Sequence, residues 1–134
     1  MYWSMRLRSE YGLVFAPNQT ATKLTWLTAN VEAARSPHAR AGTVDTWVAA
    51  VLSSFAVHAT DSSNAAVTGL ADHASLGKHE WSTSVLETLN IDAQLLPRIV
   101  PTMSVIGDAT ALPGSPPIMA MIGDQQASLV GQGG

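Results

Sequence analysis

The sequence predicts an α/β fold, and three observations carry that expectation. Near the end of the chain, Ile118-Met119-Ala120-Met121-Ile122 is an apolar run of strand length without polar alternation. That pattern suits a strand buried on both faces of a parallel or mixed sheet. Earlier, two segments set apolar side chains at helical spacing: Leu24, Leu27 and Val31, then Val44, Trp47, Val48 and Val51. Between those segments and the closing run, Ile99–Val100 and Ser104–Ile106 read as extended, with Pro and Gly as punctuation. At 134 residues the chain is long enough for one modest domain with a real core.

Taken in order, Met1–Glu10 has the character of a helix end, Gly12 breaks it, and Val14–Pro17 leads into the first clear helix. Thr20 or Thr22 can cap that helix, Trp26 borders its apolar face, and Ala33-Ala34 continue it until Ser36-Pro37. Lys23 falls in the first turn, where the helix dipole disfavours a cation, so it is either solvated or a ligand contact. After the Ala41-Gly42 turn, Thr43 or Asp45 can cap the second helix, which ends at Ser53-Ser54. Phe55–Ala59 is a short strand or a turn. It leads into Thr60-Asp61-Ser62-Ser63-Asn64-Ala65, a segment rich in side chains that bond nearby backbone amides. Asp61 can cap a short helix there, or the polar loop can help shape a substrate cleft.

His73, His79 and Glu80 match no metal-ligand spacing and are expected to be exposed loop residues. Ser82 or Ser84 can cap a helix through Leu89, Asn90–Asp92 breaks it, and Ala93–Leu96 turns before Pro97. Asp108–Pro117, with Pro113, Gly114, Pro116 and Pro117, is a loop feeding the closing strand. Gly123 and Asp124 end that strand, and Gln125–Gln132 continue as a helix, with Ala127, Leu129 and Val130 expected to make apolar contacts. Asp124 therefore falls at the carboxyl end of a strand, at or near a helix N-cap, on the edge where open α/β sheets bind ligands. Two roles are open to it. It can cap the helix, or it can accept a proton from a substrate hydroxyl while Gln125 exchanges hydrogen bonds with a polyol.

Composition removes several other functions. The net charge is −3, and the seven Lys and Arg are scattered, so no footprint for nucleic acid or an anionic membrane is present. Without cysteine neither a disulfide framework nor a thiolate metal site can form, which is compatible with a cytoplasmic chain. No signal-peptide core and no run of membrane-spanning length is evident. P-loop, dinucleotide and nucleophile-elbow motifs are missing as well.

Four blocks together resemble the FGGY carbohydrate kinases, and most closely the glycerol kinases within them. They are Thr20-Ala21-Thr22-Lys23-Leu24-Thr25-Trp26-Leu27, Gly42-Thr43-Val44-Asp45-Thr46-Trp47, Thr60-Asp61-Ser62-Ser63-Asn64-Ala65 and Gly123-Asp124-Gln125-Gln126-Ala127, in the family's order. The resemblance implies part of a ribonuclease-H-like (actin/hexokinase-type) kinase N-terminal domain. It places the upstream phosphate-loop strands and the downstream ATP-binding domain outside residues 1–134, so the isolated chain is expected to be inactive. It also implies transfer of a phosphoryl group from ATP, with Mg2+, to a polyol such as glycerol. Asp124 matches the catalytic base and Gln125 a substrate contact; metal ligands are assigned to no residue here. The parent enzyme is expected to be a cytoplasmic homo-oligomer whose partners are the polyol and ATP. Alternatives are a kinase for another sugar such as xylulose, or a non-catalytic remnant. Three departures bear on these expectations: Asn18 stands where glycerol kinases carry an aromatic residue, no Arg stands near Val67, and Asp108–Pro117 lacks the Gly- and Arg-bearing loop that binds a sugar bisphosphate inhibitor.

Overall fold

The structure is a computed structural model that describes residues 8, 10, 12 and 16–133. Most of the helix end expected over residues 1–10, and half of the lead-in over 14–17, lie outside the described residues. In chain order the elements are α1 (Thr20–Asn30), a 3-10 turn (Glu32–Arg35), α2 (Val44–Leu52), β1 (Ala59–Asp61), α3 (Ser62–Ala66), α4 (His73–Leu76), α5 (Thr83–Leu89), a second 3-10 turn (Ala93–Leu95), β2 (Arg98–Val100), β3 (Met103–Asp108), β4 (Pro117–Ala120) and α6 (Asp124–Gly131). They divide into two compact units, residues 1–41 with 65–96 and residues 42–64 with 97–134.

The first unit is helical. Its core joins Ala21 and Leu24 of α1 to Leu70, to Val85, Leu86 and Leu89 of α5, and to Ile91 and Leu96. Each of the Leu, Val and Ile side chains among them contributes roughly 1.5–3 kcal/mol when fully buried. Of the expected α1 stripe only Leu24 is buried, beside Ala21; Leu27 and the bordering Trp26 are exposed. Thr20 is the first helical residue and does not cap. The lead-in is instead pinned by Gln19, whose side chain accepts from the Ala16 N–H at 3.0 Å, and by Thr22, whose hydroxyl donates to the Ala16 carbonyl at 3.0 Å. The helix also stops at Asn30, short of the expected Ser36. Thr25, Thr28 and Asn30 side chains all bond carbonyls one turn back, and β-branched Val31 is extended, so helix gives way to a tighter turn.

Asp72 and Ser75 form a reciprocal capping box, at 2.9 and 3.0 Å, and so start α4 at a position expected to be loop. His73 and His79 are exposed, as expected. At the start of α5, Ser82 donates its hydroxyl to the Asp72 carboxylate at 2.6 Å and leaves its own helix uncapped. Asn90, in the left-handed region at φ 53°, ends that helix.

The second unit holds the strands. β1 pairs with β2 in parallel, Ala59 with Arg98 through Asp61 with Val100, which meets the α/β expectation. β3 and β4 form an antiparallel pair. The closing run is therefore not a strand buried on both faces. It folds back on β3, so one face of the hairpin supplies Ile106 and Ile118 to the core, with Met121 just beyond β4, and the other leaves Met103, Val105 and Met119 exposed. Pro117, which has no N–H to donate, takes the first strand position.

The apolar stripe of α2 is the larger correction. Val44 (78% exposed), Trp47 (63%), Val48 and Val51 face outward, while Thr46 and Ala49 are buried. Asp45 accepts a hydrogen bond from the buried Thr60 hydroxyl of β1 at 2.7 Å. That bond ties the first turn of the helix to β1, and it is the small residues Thr46 and Ala49, not the apolar stripe, that are buried. Thr43 occupies the N-cap position but donates its hydroxyl to Asp45 and does not accept from the helix. Trp47 packs edge-to-face on Phe55, with centroids 5.7 Å apart. Among the described residues no helix is long and apolar enough to cross a membrane.

Candidate functional site

Asp124 and Gln125 occupy the first turn of α6, just beyond the carboxyl end of β4, and both side chains are exposed. Gly123 is the N-cap, so Asp124 is the first helical residue. Its Oδ1 accepts from the Gln125 N–H at 2.8 Å, while Oδ2 has no partner among the described residues. One oxygen thus bonds within the first turn of the helix and the other is unengaged among the described residues. Asp124 stands one position inside the cap expected for it, and no side chain caps the helix at Gly123. Ala127, Leu129 and Val130, expected to anchor the helix, are not buried, so α6 has no apolar anchor of its own.

The turn that carries Asp124 is held instead by polar contacts around Asp61. The Asp61 carboxylate is fully buried. It accepts from Thr102 Oγ1 at 2.6 Å, Ser63 Oγ at 2.8 Å, Asn64 Nδ2 at 2.8 Å, Asn64 N at 3.0 Å and Ser63 N at 3.1 Å. Two of these donors are backbone amides at the start of α3, so the expected cap is present. The network also extends beyond that helix. Ser63 Oγ accepts from the Gly123 N–H at 2.8 Å, and the Thr102 carbonyl accepts from the Met121 N–H at 2.9 Å. One buried carboxylate thus anchors both sides of Ile122. Ser63 carried a faint signal in the sequence, as a hydroxyl two residues after an Asp. Thr102 carried none, because its partner stands far away in the chain.

Burial by itself raises the Asp61 pKa, but hydrogen bonds from Thr102, Asn64 and Ser63 outweigh it and hold the carboxyl below the usual value of 3.8. The Ser82 hydroxyl, then the Ser75 amide, do the same for Asp72 in the first unit. Because the folded Asp61 carboxyl is the stronger acid, its contribution is complete above the unfolded value and is lost as pH falls through the folded one. The stability gap between wild type and Asp61→Asn is therefore expected to stay constant above pH 3.8 and to narrow below it, as read by urea unfolding at stepped pH. A gap that persists unchanged to about pH 2 would contradict this.

Among the described residues no group of three or more His, Cys, Asp or Glu could hold a metal ion, so no step is assigned to a metal bound by them. Asn18, from the substrate departure noted in the sequence, is exposed in the first unit.

The fold is that of actin/hexokinase-type kinase N-terminal domains. A xylulose kinase from Lactobacillus acidophilus superposes with a TM-score of 0.78 over 96% of this chain and 27% of its own, at 20% identity. The glycerol kinase of Plasmodium falciparum, solved with ADP, superposes with a TM-score of 0.84 over 97% of this chain and 27% of that one, at 27% identity. The chain belongs to the FGGY family of carbohydrate kinases: residues 3–131 match the model for the family's N-terminal domain. Among its relatives, the glycerol kinase of Trichormus variabilis is 40% identical over 133 residues, 98% of this chain and 26% of the relative. That of Bordetella parapertussis is 43% identical over 106 residues, 76% of this chain and 20% of the relative. The chain thus spans about a fifth to a quarter of the length of these relatives.

Proposed function

We propose that the full-length protein phosphorylates a polyol at the expense of ATP, with glycerol as the substrate and Asp124 as the base. The observation that carries this reading is the Asp124 carboxylate, exposed at a strand-to-helix turn with one oxygen unengaged. The relatives named glycerol kinase, at about 40% identity, supply the substrate.

When bound, ATP with its magnesium ion supplies the phosphoryl group and offsets its charge. The residues of this chain act on the alcohol. Gln125 orients it by donating and accepting hydrogen bonds. As the substrate oxygen forms its bond to the γ-phosphorus, its proton passes to Asp124 Oδ2, and the bond from that phosphorus to the bridging oxygen of ATP breaks, leaving ADP. Hydrogen bonding of Oδ1 to the Gln125 amide fixes the direction in which Oδ2 faces.

Asn18 motivates a second substrate. A short amide can hydrogen-bond a hydroxyl but gives no apolar wall, which favours a longer and more polar sugar such as xylulose. A coupled ATP-consumption assay of the full-length protein over a panel including both compounds tests the reading. Turnover with glycerol is expected. Turnover with xylulose alone would move the substrate, and no turnover with any member would leave a non-catalytic remnant.

A further inference from the structure

We infer that Ser63 is a positioning residue for phosphoryl transfer: held by buried Asp61, it fixes the Gly123 amide and through it the direction of the Asp124 carboxylate. This rests on the reading of Asp124 as the base. Helix α6 buries none of its side chains, and its N-cap is a glycine with no side chain to close the first turn. Something outside the helix must therefore set where that turn begins, and Ser63 Oγ, 2.8 Å from the Gly123 N–H, meets that need.

The bonding is directional. Ser63 has a single hydroxyl hydrogen, and it points at the Asp61 carboxylate, 2.8 Å from Oδ2 and 3.0 Å from Oδ1. Its lone pairs are thus turned toward Gly123, and the hydroxyl can only accept there. Because Asp61 is buried and held from Thr102 and Asn64 as well, the hydroxyl is fixed before any substrate arrives. Asp61 and Ser63 touch no reacting atom in this scheme; they act on the backbone one residue before the base. A misplacement of about 1 Å at a reacting group costs on the order of a hundredfold in rate, so a loosened turn is expected to lower the chemical rate more than substrate binding.

The test compares Ser63→Ala, Ser63→Thr and Ser82→Ala in the full-length protein. Ser82 is a control because its buried hydroxyl also bonds a carboxylate, Asp72, in the other unit. For Ser63→Ala, kcat with the polyol is expected to fall on the order of tenfold to a hundredfold, with KM changed much less. Ser63→Thr, which keeps the hydroxyl, restores the rate, and Ser82→Ala leaves it unchanged at a similar loss of melting temperature. Independently of activity, exchange of the Gly123 amide hydrogen accelerates in Ser63→Ala and not in Ser82→Ala. Equal effects of Ser63→Ala and Ser82→Ala on kcat and on that exchange would overturn the inference. If Ser63→Ala does not fold, Asp61→Asn, which keeps the hydroxyl but loosens its hold, takes its place, and an unchanged kcat overturns the inference equally. Asp124→Asn at the wild-type rate would sink the base assignment itself. An inactive Asp124→Asn beside a fully active Ser63→Ala would remove only the role of Ser63.

Discussion

Asp61→Ala is expected to lower the unfolding free energy by about 3 kcal/mol. The carboxylate is 0% exposed and takes five hydrogen bonds from Thr102, Ser63 and Asn64, all between 2.6 and 3.1 Å. A hydrogen bond to a charged group is worth about 1.5–3 kcal/mol net, and a buried donor left without a partner costs about 1–3 kcal/mol. Water entering the space left by the side chain would recover part of that, which keeps the sum well below five separate losses. Urea unfolding followed by circular dichroism measures the change. A loss smaller than about 1 kcal/mol would mean that the network is dispensable to the fold.

Asp124→Asn in the full-length protein should act in the opposite way, on rate and not on stability. Asparagine keeps the shape and keeps an oxygen for the Gln125 N–H, so helix α6 still has its first-turn bond. It has no basicity, and general base catalysis contributes typically 10²–10⁴-fold. A fall in kcat of that order is expected, with a change in unfolding free energy within about 0.5 kcal/mol because the side chain is exposed. A fall smaller than about tenfold would point to another base, or to a reaction that needs none.

Much of the local structure was legible in the sequence. The extended Ile99–Val100, inside the strand Arg98–Val100, the loop before β4, the cap at Asp61 and the helix beginning near Asp124 all stand where turn chemistry and periodicity put them. What was not legible depends on partners distant in the chain. The apolar stripe of α2 faces outward while Asp45 at its start bonds Thr60 of β1, a contact that nothing within the helix announces. The closing run reads as fully buried, yet antiparallel pairing with β3 leaves Met119 exposed. The same limit applies to the site. Asp124 and Gln125 could be proposed as candidates from their place in the chain, whereas the Ser63 and Thr102 contacts around their turn join residues dozens of positions apart.

The transfer step itself can be isolated from binding and release by rapid-quench single-turnover kinetics, with enzyme in excess over ATP and the polyol saturating. With Asp124→Asn, the rate of phosphate-ester formation is expected to fall on the order of a hundredfold or more, while the polyol still binds. Ester formation at the wild-type rate would show that the proton leaves the alcohol by another route.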